Sequence, residues 1–169
     1  KSAFSHDNES AEAGYYQVHL NDYDVDVKLT VSERAGFHQY TFPAQAHAQV
    51  ILDLKHRDQV LQADLEILDS VTIQGYRYSS AWATDQRLHF FMRLSTPILS
   101  ATFTEDSLVA GLSFGQLQEP LQIKVGISAV DAFGAQQNVD TEIPHWDFEQ
   151  TKKQTQKAWG QALNKIQVD

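Results

Sequence analysis

Tyr23-Asp-Val-Asp-Val-Lys-Leu-Thr-Val31 decides the fold class. Its apolar set, Val25, Val27, Leu29 and Val31, recurs at every second residue, and Asp24, Asp26, Lys28 and Thr30 fill the places between. A period of two puts the first set on one face of a β-strand and the second on the other, so the stretch predicts a strand with one wet face. Glu33-Arg-Ala-Gly36 follows as a glycine-containing loop. Phe37-His-Gln-Tyr-Thr-Phe42 reads as the next strand, stopped by Pro43, which cannot donate to a ladder. The pair predicts a hairpin.

The same texture runs outward from Gly14 to about Ala129, with turn chemistry at intervals of about 8 to 12 residues. Further strands are expected at 48–54, 62–68, 70–79, 87–95, 99–104, 108–114 and 121–129, about nine or ten in all. Such a series builds an antiparallel sandwich or barrel. After Val130 the β-branched residues thin out and Ala, Gln, Lys and Glu take over, which favours helix. Asp131 predicts the cap of a helix running to about Glu142, and Pro144 marks its end. A second helix, roughly 146–165, carries Phe148, Trp159, Leu163 and Ile166 near one face, a sparse stripe interrupted by Gly160. It suits a helix lying against the sandwich or a neighbouring domain, and those four side chains are expected to be less buried than the sandwich core. The chain therefore divides into a β-sandwich over 1–130 and a helical segment over 131–169.

With 169 residues, 42% of them apolar and 21% charged, the chain has the composition of a folded domain of ordinary size. Thirteen basic against 22 acidic residues give a net charge of −9, which repels phosphate backbones and anionic lipid, so neither nucleic acid nor a membrane is an expected partner. No apolar run approaches the roughly 18 residues of a spanning helix, and the opening Lys1 and Ser2 do not read as a signal peptide. The absence of cysteine excludes disulfides, thiolate metal sites and cysteine nucleophiles.

Three constellations bear on chemistry. Asp22, Asp24, Asp26 and Glu33 fall on positions of a calcium-loop template, but Val27 stands where the sharp turn needs glycine, and the acids lie in a strand pattern. A solvated strand face accounts for them. Ser5-His6-Asp7-Asn8-Glu9 packs an imidazole and two carboxylates into five residues, a group suited to metal or sugar hydroxyls, or equally to a hydrogen-bonded loop. Asn8-Glu9-Ser10 also has the form of a glycosylation sequon. In Ser79-Ser-Ala-Trp82-Ala-Thr-Asp-Gln86, Trp82 sits in a loop between strands, where an indole can stack on a pyranose or pack beneath its own loop. His19, His38, His47, His56 and His89 form no metal-binding spacing, and no nucleophile elbow, P-loop or dinucleotide fingerprint is present.

Phe4-Ser-His-Asp-Asn-Glu9, Gly14-Tyr-Tyr16, Gly36-Phe-His-Gln-Tyr-Thr-Phe-Pro43, Gly75-Tyr-Arg-Tyr-Ser79, Trp82-Ala-Thr-Asp-Gln86, Val125-Gly-Ile-Ser-Ala129 and Ile143-Pro-His-Trp-Asp-Phe148 together resemble the amino-terminal domain of glycoside hydrolase family 92. Trp159 through Val168 resembles the family's linker, and Gln39 departs from a common arginine. The resemblance implies a mainly β fold, an antiparallel sandwich of the supersandwich kind followed by linker helices towards an (α/α)6 catalytic domain. It implies a secreted or periplasmic bacterial parent, a calcium-dependent, inverting exo-α-1,2-mannosidase acting on mannose-containing glycans, with its active site between the domains. The acid, the base and the calcium would belong to the helical domain, and family members begin upstream of Phe4. Inverting hydrolysis needs two carboxyls about 6.5 to 9.5 Å apart, one raised in pKa by burial, and nothing here marks such a pair. No residue of this chain is thus expected to be catalytic or to bind metal. His6, Asp7, Glu9 and Trp82 are the expected sugar contacts. The piece alone is expected to be inactive, an accessory sandwich rather than a free-standing carbohydrate-binding module or a purely structural scaffold.

Overall fold

The computed structural model describes residues 2–165. Its strands are β1 (Glu9–Glu12), β2 (Tyr15–Leu20), β3 (Val25–Val31), β4 (Ala35–Thr41), β5 (His47–Asp53), β6 (Gln59–Asp69), β7 (Thr72–Ser80), β8 (Gln86–Leu94), β9 (Ser100–Phe103), β10 (Val109–Gln116) and β11 (Leu121–Ser128). Two helices follow, α1 (Ala132–Glu142) and α2 (Phe148–Leu163). Pairing is antiparallel throughout these strands, in an eight-stranded sheet of order β1-β2-β3-β4-β11-β8-β7-β6 and a three-stranded sheet of order β5-β10-β9.

The hairpin expected from Tyr23–Phe42 is β3–β4, with Val27 opposite Tyr40 and Thr30 opposite Phe37. Eleven strands form where nine or ten were expected, and the two outside the named stretches are β1 and β2. β1, Glu-Ser-Ala-Glu, has no apolar alternation and joins the sheet by backbone pairing to β2.

Alternation then sorts side chains between two cores. On one side of the large sheet, Leu65, Ile73, Phe90, Met92, Leu121 and Ile123 meet Ala48, Ala110, Leu112 and Phe114 of the small sheet, which makes the sandwich. On the other side Tyr15, Ala35, Phe37 and Phe91 meet Ala135, Val139, Ile143 and Phe148 of the helical segment. The central strands are therefore covered on both faces. This corrects the expected wet face of β3: Thr30 is only 2% exposed beneath α2, whereas Val31, assigned to the inner face, is 43% exposed. A helix laid over the strand's far end reverses the burial that alternation alone predicts.

α1 begins at its expected cap, Asp131 accepting from the Gly134 amide at 2.6 Å, and α2 is capped by Asp147, which accepts from the Gln150 amide at 2.9 Å. Gly126 lets α1 approach β11, since a Cβ there would stand 2.1 Å from the Ala135 carbonyl oxygen. The expectation that Phe148 is less buried than the sandwich core is wrong. At 3% exposure it packs on Phe37 and Tyr15, because the first turn of α2 closes the second core. Farther along, Trp159 is 47% and Leu163 60% exposed, as expected of a linker face, and Ile166 lies outside the described residues.

Candidate functional site

The His6–Glu9 corner is a short 3-10 turn, His6–Asn8, held by Ser5, whose Oγ accepts from the Asp7 amide and whose carbonyl accepts from the Asn8 amide. Ahead of it the chain is pinned to the β2–β3 turn, Ala3 donating to Asp22 at 2.8 Å and Asn21 donating back to the Ala3 carbonyl. Glu9, the first residue of β1, accepts from the Tyr16 hydroxyl of β2 at 2.6 Å and pairs with Nδ1 of His6. The Tyr16 hydrogen bond, then that of His6, holds the Glu9 carboxyl below its usual range, and the same bond raises Tyr16. Glu9 is therefore an occupied acceptor that orients its neighbours. The Nε2 edge of His6 and the carboxylate of Asp7 face water, free to meet hydroxyl groups.

Trp82 stands at the tip of the β7–β8 hairpin with its side chain fully exposed, at 101% of the reference area, so it does not pack under its loop. The base of the tip is braced. Asp85 accepts from both Nε and an Nη of Arg87 at 3.1 to 3.2 Å, and that guanidinium lies 5.3 Å from the centre of the Tyr78 ring. Tyr78 in turn touches Tyr76 and His89, its hydroxyl 3.2 Å from Nε2 of His89. A base of packed side chains thus presents a bare indole. The fold does not bring Trp82 to the His6 corner: β1 and β7 are six strand positions apart, and the two features lie at opposite ends of the sheet.

The acids that mimic a calcium loop are dispersed. Asp24 and Asp26 pair with His19 of β2, Asp22 holds Ala3, and Glu33 lies beyond the far end of β3. Among the described residues no three His, Asp or Glu side chains converge as a cation cage. The carboxyls displaced in pKa, Glu9, Asp106 and Glu142, are displaced downward, the direction opposite to that of a general acid.

Two features escape sequence reasoning. Lys124 of β11 lies buried between sheet and helices, its ammonium donating to the Ile143 carbonyl at 2.9 Å and resting 4.1 Å from the Trp146 ring. Burial, with a lesser push from Arg93, brings its pKa down to about 8. Glu142, at the end of α1, accepts from Ser32 Oγ at 2.6 Å, from the Arg34 amide at 2.9 Å and from Arg34 Nε at 2.7 Å. Burial alone would raise this carboxyl, but the three donors and the Arg34 charge lower it. Partners 19 residues away for Lys124 and more than 100 for Glu142 leave no local signal.

The sequence profile described as the Glycosyl hydrolase family 92 N-terminal domain matches residues 1–128, and that of the Glycosyl hydrolase family 92 catalytic domain matches residues 134–169. Comparison with curated proteins gives no match. Among solved structures, the family GH92 alpha-mannosidase BT3965 from Bacteroides thetaiotaomicron superposes with a TM-score of 0.90 at 25% identity, over 99% of this chain and 26% of that one. The GH92 family glycosyl hydrolase ccman5 gives 0.88 at 20% identity, over 99% and 26%. The family GH92 inverting mannosidase BT2199 from Bacteroides thetaiotaomicron VPI-5482 gives 0.85 at 21%, over 99% and 24%. At those identities the last two speak for the fold alone. The chain spans about a quarter of the length of the structures it matches.

Proposed function

The chain belongs to glycoside hydrolase family 92, and from that premise we propose that it is the accessory β-sandwich of an α-mannosidase, seated on the catalytic domain and completing its sugar site. The observation that carries this reading is the superposition of 99% of the chain on about a quarter of an α-mannosidase. The parent we propose is a secreted or periplasmic, calcium-dependent, inverting exo-α-1,2-mannosidase, with residues 131–169 leading towards its (α/α)6 domain. Acid, base and calcium we assign to the catalytic domain, as the family resemblance implies, and no step through the ion is assigned to this chain.

What the sandwich supplies is contact and shape. Trp82 offers a flat apolar face to the C–H side of a pyranose, and the His6–Glu9 corner offers hydrogen-bonding groups to hydroxyls. Each is half of a subsite, and half a subsite binds weakly on its own. The 169-residue chain should therefore show no turnover of an aryl α-mannoside, with or without calcium, and no measurable affinity for mannobiose. The longer polypeptide should hydrolyse α-1,2-mannobiose and lose that activity to a chelator. Turnover by the 169-residue chain that a point change in it abolishes would overturn the accessory role, and tight mannobiose binding by that chain would make it a binding module instead.

A further inference from the structure

We propose that the indole of Trp146 is a proton-linked lid over the Lys124 amine: it lies closed over the neutral amine and yields to water when the amine takes up a proton. It stands apart from the functional reading above and places a pH-sensitive joint where the sandwich meets its helical segment.

Among the described residues Lys124 is the one acidic or basic side chain that the fold buries, at 3% exposure. It rises from β11 between Phe37 of β4 and Arg93 of β8, its neighbours across the two ladders. Over it runs the elbow 143–147, which joins α1 to α2. The amine donates to the Ile143 carbonyl at 2.9 Å and lies 4.1 Å from the centre of the Trp146 ring. A protonated amine carries three N–H donors, and this one meets a single acceptor among the described residues.

Its charge is not matched by a carboxylate of its own. The charged groups facing Lys124 are Arg93 from β8 and Asp140 from α1, and Asp140 is already paired with Arg93 at 3.2 Å. β4 presents the Phe37 ring at 5.8 Å, and α2 rests Phe148 on that same ring. The elbow brings the indole and His145, whose Nδ1 accepts from the Asp147 amide. A cation enclosed in this way either recovers water or gives up its proton. The indole face attracts a cation, but the loss of water is the larger effect: burial, then Arg93, holds the closed amine at about 8, against about 10.4 in water.

Water has one short way in. Ile143 and Phe148, at 0% and 3% exposure, anchor the two ends of the elbow, while Trp146 between them is 38% exposed. Its ring meets Phe37 in a T-shaped contact at 6.0 Å, so rotation of one side chain uncovers the amine without moving either helix. Opening restores the ordinary proton affinity of a lysine. The open fraction therefore rises as pH falls from about 10.4 to about 8, by up to about two orders of magnitude, and is level below that. Lys124 belongs to the stretch 1–128 that matches the sandwich profile and Trp146 to the stretch 134–169 that matches the catalytic-domain profile, so the lid ties one to the other.

NMR of the 169-residue chain labelled at lysine Cε reads the titration directly, the Lys124 resonance being assigned by Lys124→Met. Its midpoint should lie near 8 and move up by about one pH unit or more in Trp146→Ala, where water reaches the amine. Trp146→Phe, a milder truncation, should move it the same way by less. An unchanged midpoint would overturn the proposal, and so would a lowered one, which would show that the indole holds the cation instead of excluding its water. Acrylamide quenching of Trp146, with Trp82→Phe and Trp159→Phe removing the other indoles, follows the lid itself. Quenching should be greater at about pH 7 than at about pH 10, and in Lys124→Met it should stay at the lower value throughout. Quenching indifferent to pH, or changing equally in Lys124→Met, would also overturn the proposal. Neither measurement uses mannosidase activity, so failure here leaves the functional reading standing.

Discussion

Truncating Phe148 to alanine removes the side chain that fastens α2 to the sheet. The ring is 3% exposed, with centroids 5.4 Å from Phe37 and 6.4 Å from Tyr15. A buried aromatic withdraws about 150 to 250 Å² from water, worth about 4 to 6 kcal/mol at 25 cal/mol per Å² before subtracting what alanine retains and what the unfolded chain already hides. Large-to-small replacements of phenylalanine in cores cost about 3 to 5 kcal/mol, and we expect about 3 to 4 here. For a chain of this size that lowers the melting temperature by roughly 10 °C. Urea unfolding followed by tryptophan fluorescence measures the loss, with Leu163→Ala, 60% exposed on the same helix, as the internal contrast at about 0.5 kcal/mol. Hydrogen exchange should show the first turn of α2 protected like β11 and the last turn open. A loss below about 1 kcal/mol for Phe148→Ala, or one equal to that of Leu163→Ala, would refute the assignment of α2 to a second core.

Three further outcomes are expected. The Lys124 ammonium, held at about 8 when folded against about 10.4 when unfolded, makes the unfolded state bind more protons between those values, so stability rises with pH across that window. Above about pH 10 Tyr40, pushed up to about 12 by burial, works the other way, and in Lys124→Met the rise between about pH 8 and 10 should vanish from urea midpoints; a slope that survives would show that another group causes it. Glu142→Ala leaves the Ser32 and Arg34 donors unpaired and should cost about 2 kcal/mol at neutral pH. Because the folded-state pKa of Glu142 is lowered, its contribution holds above about pH 4.3 and fades as pH falls through the folded value, so the variant's acid limb in an unfolding series should be shallower, and parallel limbs would contradict this. Trp82→Ala should leave thermal stability within about 0.5 kcal/mol while weakening sugar binding in the longer polypeptide, and a loss above about 1 kcal/mol would mean the indole packs after all.

The sequence by itself determined nine of the eleven strands, both helices and the Asp131 cap, because these are set by neighbours in the chain. Alternation in Val25–Val31 marks β3, Asp131 marks the start of α1, and seven ordered motifs point to the family. Alternation says only that a strand has two faces. It does not say what lies on each, so Thr30 reads as wet and Val31 as inner until a helix more than a hundred residues later covers one and leaves the other bare. β1 was illegible for a related reason: an edge strand is held by backbone pairing, which Glu-Ser-Ala-Glu does not advertise. Residue types in the candidate site were readable, His6, Asp7, Glu9 and Trp82 among them, but their distribution was not. Strand order in the sheet sets those features six positions apart, and the same order gathers exposed apolar side chains from β3, β11 and both helices onto one end. Burial and proximity are properties of pairs of distant segments, and only the tertiary fold decides which segments meet.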